Sequence, residues 1–578
     1  MNTGLKSLLL LFLSSCFSAI AQQKNLTPYE KGNRNQTATY EETIAYYNTL
    51  DKTFESISMK TMGLTDSGEP LHIVTYNPDK KFDFNQLQDD KAIILINNGI
   101  HPGEPDGIDA TMLLFRDLAT GKITPPKNTI IVTIPIYNIG GALNRNSTSR
   151  VNQNGPEEFG FRGNARNYDL NRDFIKSDTR NARSFAEIFQ LVYPDVFIDN
   201  HVSNGADYQY TLTYIATHYQ KLGGKAGTYF NSEMHPSILK DLQSKKIDAV
   251  PYVNIYNKTP ENGFAKNMET ARFSTGYAAL FNSFGAMVET HMLKKYSDRV
   301  KITYEYMLST LRYTDSNYQT LKKIRNETLE AYRPNEKYTI QWEIDSTKVT
   351  QIPFLGYEGK YKPSDVSGKP RLYYDRTKPF QKMIPHYEIY KPKKQISIPE
   401  YYIVPKQWWN VIELLKLNNI KMKRLEQDSL ITVESYRITD YKTGSSAFEG
   451  HYAHYNTNVT TTSGIQKFKK GDYLIPTQQK NVKFLLETLE PEAVDSYFNW
   501  NFFDAILQQK EYYSPYVFED IAKQLLIDNP ELKKALEEKR KSDPKFESNG
   551  DAQLDWVYCN SKYYEKSHMQ YPVYRIIK

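Results

Sequence analysis

The sequence predicts an α/β fold with a mainly parallel mixed sheet flanked by helices, followed by a smaller C-terminal domain of α/β or α+β type. The first half of the chain carries this prediction, because apolar runs of strand type alternate there with helical patterns. Such alternation is typical of a sheet whose strands run mainly in parallel. From residue 398 the texture changes, and a second, smaller set of strands and helices follows.

The elements of the first half follow one another in a regular order. We predict a helix over 39–51, a hairpin of 56–61 with 71–76, strands over 91–96, 129–136, 195–200 and 285–288, and helices over 106–118, 182–191, 228–244 and 277–283. The strand over 91–96 leads to His101, and the last two strands end at His201 and Glu289. In sheets of this type, ligands bind beyond the carboxyl ends of the strands.

Length and charge limit the number of domains and the kind of partner that the chain is expected to have. A chain of 578 residues is long enough for two or three domains. Lys and Arg exceed Asp and Glu by 73 − 67 = 6, and they are spread along the chain. A nucleic-acid binder usually shows a concentrated basic face, so no nucleic-acid partner is expected. We divide the chain into a signal peptide over 1–21, a catalytic domain over 22–334, a linker or short-stranded region over 335–397 and a C-terminal domain of unknown role over 398–578.

The N-terminus has the pattern of an export signal. Lys6 precedes a short apolar run, and Ala19-Ile20-Ala21 is a small-x-small cleavage site. An alternative is a lipoprotein signal in which Cys16 is the lipidated residue. Either pattern predicts an exported protein, periplasmic or secreted, and no later segment has the length of a transmembrane helix. Cleavage after Ala21 would leave Cys559 as the only cysteine, which excludes an intramolecular disulfide.

Four residues in the first half are suited to metal-dependent hydrolysis. His101 and Glu104 are a short-spaced pair of ligand type directly after a strand, and His201 follows a long spacer. Zinc in hydrolases usually has three protein ligands of this kind plus a water. A carboxylate base is then needed near that water, and Glu289 follows the last strong strand. The spacing alone predicts one zinc ion, although pairs of this spacing also occur by chance.

The segment from Arg162 to Phe174 strengthens the prediction. It is polar and loop-like, and it contains Arg-Gly-Asn-Ala followed by Asp-Leu-Asn-Arg. Arginine binds carboxylates through two parallel hydrogen bonds and stabilises oxyanions. Together with the His-Pro-Gly-Glu pair, His201 and Glu289, in that order, the segment resembles the zinc carboxypeptidase family, the carboxypeptidase A-like metallopeptidases. The resemblance covers roughly residues 40–310.

The resemblance implies a zinc carboxypeptidase-like fold and a role for each matching residue. His101, Glu104 and His201 would bind one zinc ion, and Glu289 would be the general base and acid. Arg162 would polarise the scissile carbonyl, Asn171 and Arg172 would hold the terminal carboxylate of the substrate, and Asp169 would hydrogen-bond a zinc-binding histidine, His101. Two alternatives stay open: Asp169 is a turn cap, or Arg166 takes the place of Arg162.

The chain also departs from the family. Asn138-Ile139-Gly140-Gly141 stands where many members have Asn-Pro-Asp-Gly, and Asp173 stands where Asn is common. The family's mobile tyrosine has no clear match among Tyr252, Tyr256 and Tyr277. Arg272 lies where the family places its side-chain pocket; it either favours acidic side chains or pairs with a structural carboxylate.

We therefore expect an exported zinc metallocarboxypeptidase whose substrate is a peptide, or a peptide-like molecule, with a free C-terminal carboxylate. One alternative is a zinc-dependent deacylase or amidohydrolase of N-acyl amino acids or cell-wall peptides, because these substrates also end in a carboxylate. A further alternative is a non-catalytic module that binds zinc or peptides. The oligomeric state is not predicted. Among the other histidines, His291 is a candidate partner of the base, and His451 with His454 is a weak candidate for a second metal cluster.

Overall fold

A mixed sheet of eight strands forms the centre of the first half of the chain, in a computed structural model that describes residues 26–87 and 90–577. The strand order is β1-β2-β4-β3-β5-β9-β6-β7, with bounds Ile57–Leu64 (β1), Pro70–Tyr76 (β2), Ala92–Asn97 (β3), Thr129–Ile134 (β4), Val196–Ser203 (β5), Leu212–Ala216 (β6), Ala249–Pro251 (β7) and Phe284–His291 (β9). The short strand β8 is Phe264–Ala265. Strands β4, β3, β5 and β9 run in parallel, while β1, β2 and β6 make antiparallel pairs. The predicted mainly parallel mixed sheet is confirmed.

Helices pack on this sheet and continue into the second half. Their bounds are Pro28–Lys31 (α1), Tyr40–Thr53 (α2), Phe84–Leu87 (α3), Asp106–Ala119 (α4), Ile139–Leu143 (α5), Arg180–Val192 (α6), Tyr219–Leu222 (α7), Gly224–Tyr229 (α8), His235–Ser244 (α9), Ser274–Leu280 (α10), Tyr296–Leu329 (α11), Trp409–Leu417 (α12), Val482–Leu489 (α13), Pro515–Asp528 (α14), Pro530–Ser542 (α15), Pro544–Glu547 (α16) and Gly550–Cys559 (α17). A π-helical turn, Phe230–Met234, joins α8 to α9. The described residues include no helix of the length and apolarity that a bilayer crossing requires.

Strand β3 positions the first functional residues. All six of its residues are buried, as expected for a central strand covered on both faces. Gly99 follows it with a φ of +62°, a left-handed conformation that glycine adopts without strain. The chain then turns, and the Glu104 N–H donates to the His101 carbonyl at 2.8 Å. This turn holds the two side chains together before α4 begins at Asp106.

Two strands extend beyond the residues at which the sequence ended them. The parallel pairing of β5 with β9 continues through His201 opposite Glu289 to Ser203 opposite His291. The antiparallel neighbour β6 continues the ladder, with Thr213 opposite Glu289. His201 and Glu289 therefore lie inside their strands rather than at the ends. Backbone pairing holds both polar residues in extended structure, although their side chains interrupt the apolar pattern. Glu289 is paired on both sides of β9, and His201 is paired with β9.

The region over 335–397 contains long strands rather than the irregular or short-stranded structure that its composition suggests. Strands β11 (Thr350–Pro363) and β12 (Pro370–Tyr387) form an antiparallel hairpin, and β12 also pairs with β8. Strands β10 (Lys337–Ile344) and β13 (Tyr390–Ser397) pair with each other. Most of the residues of β11 and β12 are not buried, so these strands lack the apolar alternation by which a sequence reveals a strand.

The C-terminal region contains a six-stranded sheet in which the paired strands run antiparallel. Its strands are Tyr401–Val404 (β14), Lys423–Arg424 (β15), Ser429–Thr443 (β16), His454–Phe468 (β17), Tyr473–Pro476 (β18) and Gln570–Ile576 (β19), in the order β15-β18-β14-β19-β16-β17. Its helices are separate from an antiparallel sheet, so it is of α+β type. One hydrophobic core runs from the first half into this region. The predicted leader and Cys16 lie outside the described residues.

Candidate active site

Three side chains converge where β3 and β5 meet. His101, Glu104 and His201 are buried, and one ligand atom from each lies within 4.8 Å of the others. The Nδ1 atom of His101 is 3.3 Å from Glu104 Oε1, and the Nδ1 atom of His201 is 3.2 Å from Glu104 Oε2. Both imidazole rings therefore turn the same nitrogen towards the shared carboxylate. The sequence predicted that these three residues act together, although His101 and His201 are 100 positions apart, and the fold places them in one cluster.

The opposite nitrogen of each ring is held by an aspartate. His101 Nε2 is 2.9 Å from Asp169 Oδ1, and His201 Nε2 is 2.9 Å from Asp199 Oδ2. A carboxylate behind a histidine fixes the ring orientation and leaves the other nitrogen available for a metal. The resemblance implied Asp169 but not Asp199. The missed signal is positional: residues two apart on a strand share a face, and Asp199 stands two positions before His201 on β5.

The chemistry of the three residues fits a divalent metal. His101 Nδ1 is buried and accepts or donates no hydrogen bond, which is costly for a polar atom that faces no ligand. Burial alone would raise the pKa of Glu104, but Arg150, 2.8 Å away, and His101 hold that pKa well below its usual range. Two imidazole nitrogens and an ionised carboxylate are ligands that zinc prefers. No other His, Cys, Asp and Glu group within the described ranges forms a comparable cluster.

Glu289 lies beside this cluster on the adjacent strand. Its partner in the β5–β9 ladder is His201, and both residues line the same cavity. Burial raises the pKa of Glu289 to about 8; the charges of Glu104 and Asp199 add to this rise, while His201 and Arg162 oppose it. A carboxylate with a raised pKa in a cleft is typical of a group that exchanges protons.

Arg162 and Arg166, the two arginines left open by the sequence, have different surroundings. Arg162 lines the cavity, lies 3.6 Å from Glu104 Oε1 and donates to Asp169 Oδ2 at 2.8 and 3.0 Å. Arg166 instead faces Asp66 at 3.8 Å and stacks over the Tyr168 ring. Burial lowers the pKa of Arg162, yet Asp169 and Glu104 raise it overall, so the cation is retained. Of the two, Arg162 is the arginine that lines the cavity beside Glu104.

Asn171 and Arg172 line a cavity of about 720 Å³ together with the four residues named above for metal and base. Asn171 accepts a hydrogen bond from the backbone N–H of Ser274 at 3.1 Å, which fixes its amide. Arg172 stacks over the ring of Phe273 at 4.5 Å and donates to the Asn171 carbonyl. The guanidinium is thus held at the cavity wall, where it can bind a carboxylate.

Comparison with known proteins finds relatives that are named carboxypeptidases. No protein-family model matches the chain. Carboxypeptidase 2 of Trichophyton rubrum is 22% identical over 435 residues, covering 70% of this chain and 73% of that protein. Carboxypeptidase 2 of Trichophyton equinum is 22% identical over 492 residues, covering 78% and 83%. The resemblance to the zinc carboxypeptidases is confirmed. The alignment with a solved metallo-carboxypeptidase from Burkholderia cenocepacia is 14% identical, covers 48% of this chain and 70% of that chain and has a TM-score of 0.36.

Two of the three candidate tyrosines lie in the cavity, and the third does not. Tyr277 is buried in an aromatic cluster and donates to Asn418 Oδ1 at 2.7 Å, so it has no access to substrate. Tyr252 and Tyr256 line the cavity, with their hydroxyl oxygens 3.0 Å apart. Burial, together with the charge of Glu289, raises the pKa of Tyr252 strongly, so its hydroxyl stays protonated and can donate.

The contacts of Arg272 support pairing with a structural carboxylate rather than selection of acidic side chains. Its guanidinium pairs with Asp495 at 2.6 Å and stacks over Trp500 at 4.7 Å. Asp495 lies between β18 and β19 in the sequence. The ion pair therefore joins the second half of the chain to Arg272, which directly precedes the cavity-lining residue Phe273. Arg272 does not line the cavity and cannot select an acidic side chain there.

The remaining histidine candidates are satisfied by structural partners. His291 Nε2 lies 2.9 Å from the Ala206 carbonyl, and its Nδ1 accepts from Leu293 N–H at 3.1 Å. His451 and His454 pair with different aspartates, Asp178 at 2.7 Å and Asp504 at 3.0 Å. They form no second metal cluster in the part of the chain that the structure describes.

The C-terminal region reaches the active-site loop, which the sequence did not indicate. Glu449 Oε2 accepts the backbone N–H of Asp169 at 2.8 Å. The next residue, Gly450, approaches Tyr168 so closely that an added Cβ would lie 2.4 Å from the Tyr168 hydroxyl oxygen. The second half therefore supports the loop that carries Asp169, Asn171 and Arg172.

Proposed function

We propose that the chain is a zinc-dependent carboxypeptidase that hydrolyses C-terminal peptide bonds, with Glu289 as general base. The observation that carries the proposal is the His101–Glu104–His201 cluster, in which both histidines are backed by aspartates. It opens into one cavity with Glu289, Arg162 and Arg172. The curated relatives named carboxypeptidase support a peptide-bond hydrolase. A non-catalytic binding module would need neither the base nor the oxyanion arginine.

The residues of the chain divide the chemical work. Zinc bound by the three ligands would supply a Lewis acid that polarises the scissile carbonyl and acidifies water. Glu289 takes a proton from the attacking water and returns it to the leaving amine. The positive charges of His201 and Arg162 oppose the rise in the pKa of Glu289 that burial imposes, so both residues favour the carboxylate form that a base needs. Arg162 donates to the oxygen that becomes negative in the tetrahedral intermediate.

Arg172 and Asn171 form a clamp for the terminal carboxylate of the substrate, and this clamp determines which bond is cut. Arg172, steadied by Phe273, presents N–H donors to the terminal carboxylate, and Asn171 adds an amide donor. A peptide held by its last carboxylate places its last peptide bond, rather than an internal one, next to the metal and the base. This arrangement supports removal of single residues from the C-terminus.

The test uses one peptide in two forms, with a free and with an amidated C-terminus, beside an N-acyl amino acid. Each is incubated with the purified chain, with chelator, and with chelator followed by zinc, and the products are identified by mass spectrometry. We expect stepwise loss of C-terminal residues from the free peptide only, abolished by chelator and restored by zinc. Equal cleavage of the amidated form would contradict the clamp. Faster hydrolysis of the N-acyl amino acid would favour the deacylase alternative.

We also propose that the protein acts outside the cytoplasm. The support is the leader pattern over 1–21, whose apolar run and Ala-Ile-Ala site are typical of exported proteins. N-terminal sequencing of the protein purified from its native source would show Gln22 first if cleavage follows Ala21. A lipid-modified Cys16 at the N-terminus would instead support the lipoprotein alternative.

A further inference from the structure

The two edges of the C-terminal sheet differ in how they are protected from pairing with a further strand. One edge is β15, which consists of Lys423 and Arg424 alone. Very short strands and lysine side chains are two of the devices by which proteins protect a sheet edge. The other edge is β17, which is 15 residues long. In the part of the chain that the structure describes, β17 pairs with β16 and with no other strand.

Between Val459 and Gln466, β17 has none of these protective features. The segment contains neither a charged residue nor a proline. Its pairing with β16 continues from Val459 to Phe468 without a register shift, so no bulge bends the strand away from a neighbour. Residues 460–467 are all exposed, and because successive side chains point to opposite faces, neither face of this stretch is covered. The outward N–H and C=O groups are therefore open to a partner strand.

The apolar residues of this segment are placed symmetrically about Thr462. Val459 stands three positions before it, and Ile465 stands three positions after it. Their separation of 465 − 459 = 6 positions puts both side chains on one face of β17. Val459 packs against the main hydrophobic core, whereas Ile465 is 69% exposed. An antiparallel strand of the same sequence, centred on Thr462, would place each Ile465 beside the Val459 of the other copy.

We propose that the edge of β17 binds a second copy of this chain, through antiparallel pairing of β17 with β17 about a twofold axis at Thr462. Each Ile465 then lies directly opposite the Val459 of the other copy, and this contact occurs twice. Thr462 faces itself, and the remaining pairs are Thr461 with Ser463, Thr460 with Gly464 and Asn458 with Gln466. Cross-strand apolar pairs and pairs of Thr with Thr or Ser stabilise antiparallel sheets. The first charged residue beyond the segment, Lys467, faces Thr457, so no like charges meet there.

The surroundings of the strand favour a second copy over an unrelated extended peptide. Leu430 on β16 is 72% exposed and lies diagonally beside Ile465 on the same face of the sheet. Val459 marks this face as the one on which the main core lies. In the twofold arrangement, the body of the other copy therefore lies on the face of Leu430 and Ile465 and shields both. The interface uses the same surface of both copies and closes as a dimer, because the sheet edges that remain are the two protected β15 strands.

Sedimentation velocity of the purified chain over a range of concentrations tests the interface. We expect a monomer–dimer equilibrium for the wild type. Ile465→Lys removes both contacts with Val459 and should raise the dissociation constant at least about tenfold. The matched control is Val366→Lys, which changes a β-branched residue that is 98% exposed in the turn between β11 and β12 and should keep the wild-type equilibrium. Circular dichroism establishes that both variants are folded.

Cysteine cross-linking tests the register of the pairing. Thr462→Cys brings two thiols together at the axis, where the Cα atoms of facing residues are about 4.5 to 5.5 Å apart, within reach of a disulfide. A mild oxidant should convert this variant into a covalent dimer that a reductant separates. Gln466→Cys is the matched control, because its two copies lie 466 − 458 = 8 positions apart, about 26 Å, too far for a disulfide. The wild type measures any background from Cys559.

Three results would overturn the inference. The first is a wild type that sediments as a monomer at every concentration, and binding of an unrelated extended peptide to that monomer would assign the edge to a foreign strand. The second is a dimer that Ile465→Lys leaves intact while Thr462→Cys fails to cross-link, because the two copies then meet through another surface. The third is equal cross-linking of Thr462→Cys and Gln466→Cys, which excludes an axis at Thr462.

Discussion

Asp199→Asn is the change that most sharply tests how the metal cluster is built. Asp199 is fully buried, and each of its oxygens has one partner: Oδ2 faces His201 Nε2 at 2.9 Å, and Oδ1 accepts from Asn97 Nδ2 at 2.9 Å. Asparagine has a single side-chain oxygen. In either orientation of the new amide, its NH₂ group therefore faces one of two buried donors. The substitution removes the charge and also creates a donor–donor conflict.

The structure sets the expected size of the effect. Loss of a carboxylate that supports a metal-binding histidine weakens metal binding by about 10- to 100-fold, or about 1.4 to 2.8 kcal/mol. We expect Asp199→Asn to lie near the upper end of this range, because the unsatisfied donor adds to the lost charge. His201 is also freer to rotate in the variant, which lowers the population of rings with Nδ1 towards the metal.

The assay is a zinc titration in competition with a chromophoric chelator. The control is Asp428→Asn, an exposed carboxylate paired with Lys469 at 3.1 Å, which should keep the wild-type Kd. Circular dichroism of the metal-free proteins establishes that both variants are folded. A Kd for Asp199→Asn within about threefold of the wild type would refute the role of this aspartate.

Further predictions concern the base, the carboxylate clamp and the contact from the C-terminal region. Glu289→Gln should keep one zinc per chain by mass analysis and lower kcat about 10²- to 10⁴-fold; substantial turnover would remove it as the base. Arg172→Ala should raise KM for free-carboxylate peptides at least about tenfold, and an equal effect on an N-acyl amide that lacks the carboxylate would contradict the clamp. Glu449→Ala removes the acceptor of the Asp169 N–H and should lower kcat/KM about tenfold by misplacing the loop, whereas unchanged kinetics would disconnect the second half from the site.

Much of the sheet could be predicted because its central strands are continuous apolar runs. β3 and β4 consist of buried residues throughout, and their pattern needs no tertiary knowledge to identify. The limits of β5 and β9 could not be predicted, since pairing with neighbours rather than composition holds His201 and Glu289 in extended structure. The long strands β11 and β12 were missed for a related reason: hydrogen bonds between the strands stabilise them, and few of their side chains are buried.

The same distinction applies to the candidate site, where some residues could be predicted from the sequence and others could not. His101, Glu104 and His201 were accessible from sequence, because ligand-type residues next to predicted strands imply a common edge of the sheet. Asp199 was not, since its significance depends on what lies around it, a histidine on the same face of the strand. The contact from Glu449 joins residues 280 positions apart and has no local signature.

Anomalous diffraction at the zinc absorption edge, from crystals grown with zinc, would show whether His101, Glu104 and His201 bind the metal. We predict one strong peak per chain, about 2.0 to 2.2 Å from His101 Nδ1, His201 Nδ1 and an oxygen of Glu104, with both Nε2 atoms still bonded to their aspartates. The peak should face the cavity containing Glu289 and Arg172. A peak bound through the Nε2 atoms, a peak at other residues, or no peak at a zinc concentration that supports activity would exclude these three residues as the zinc site.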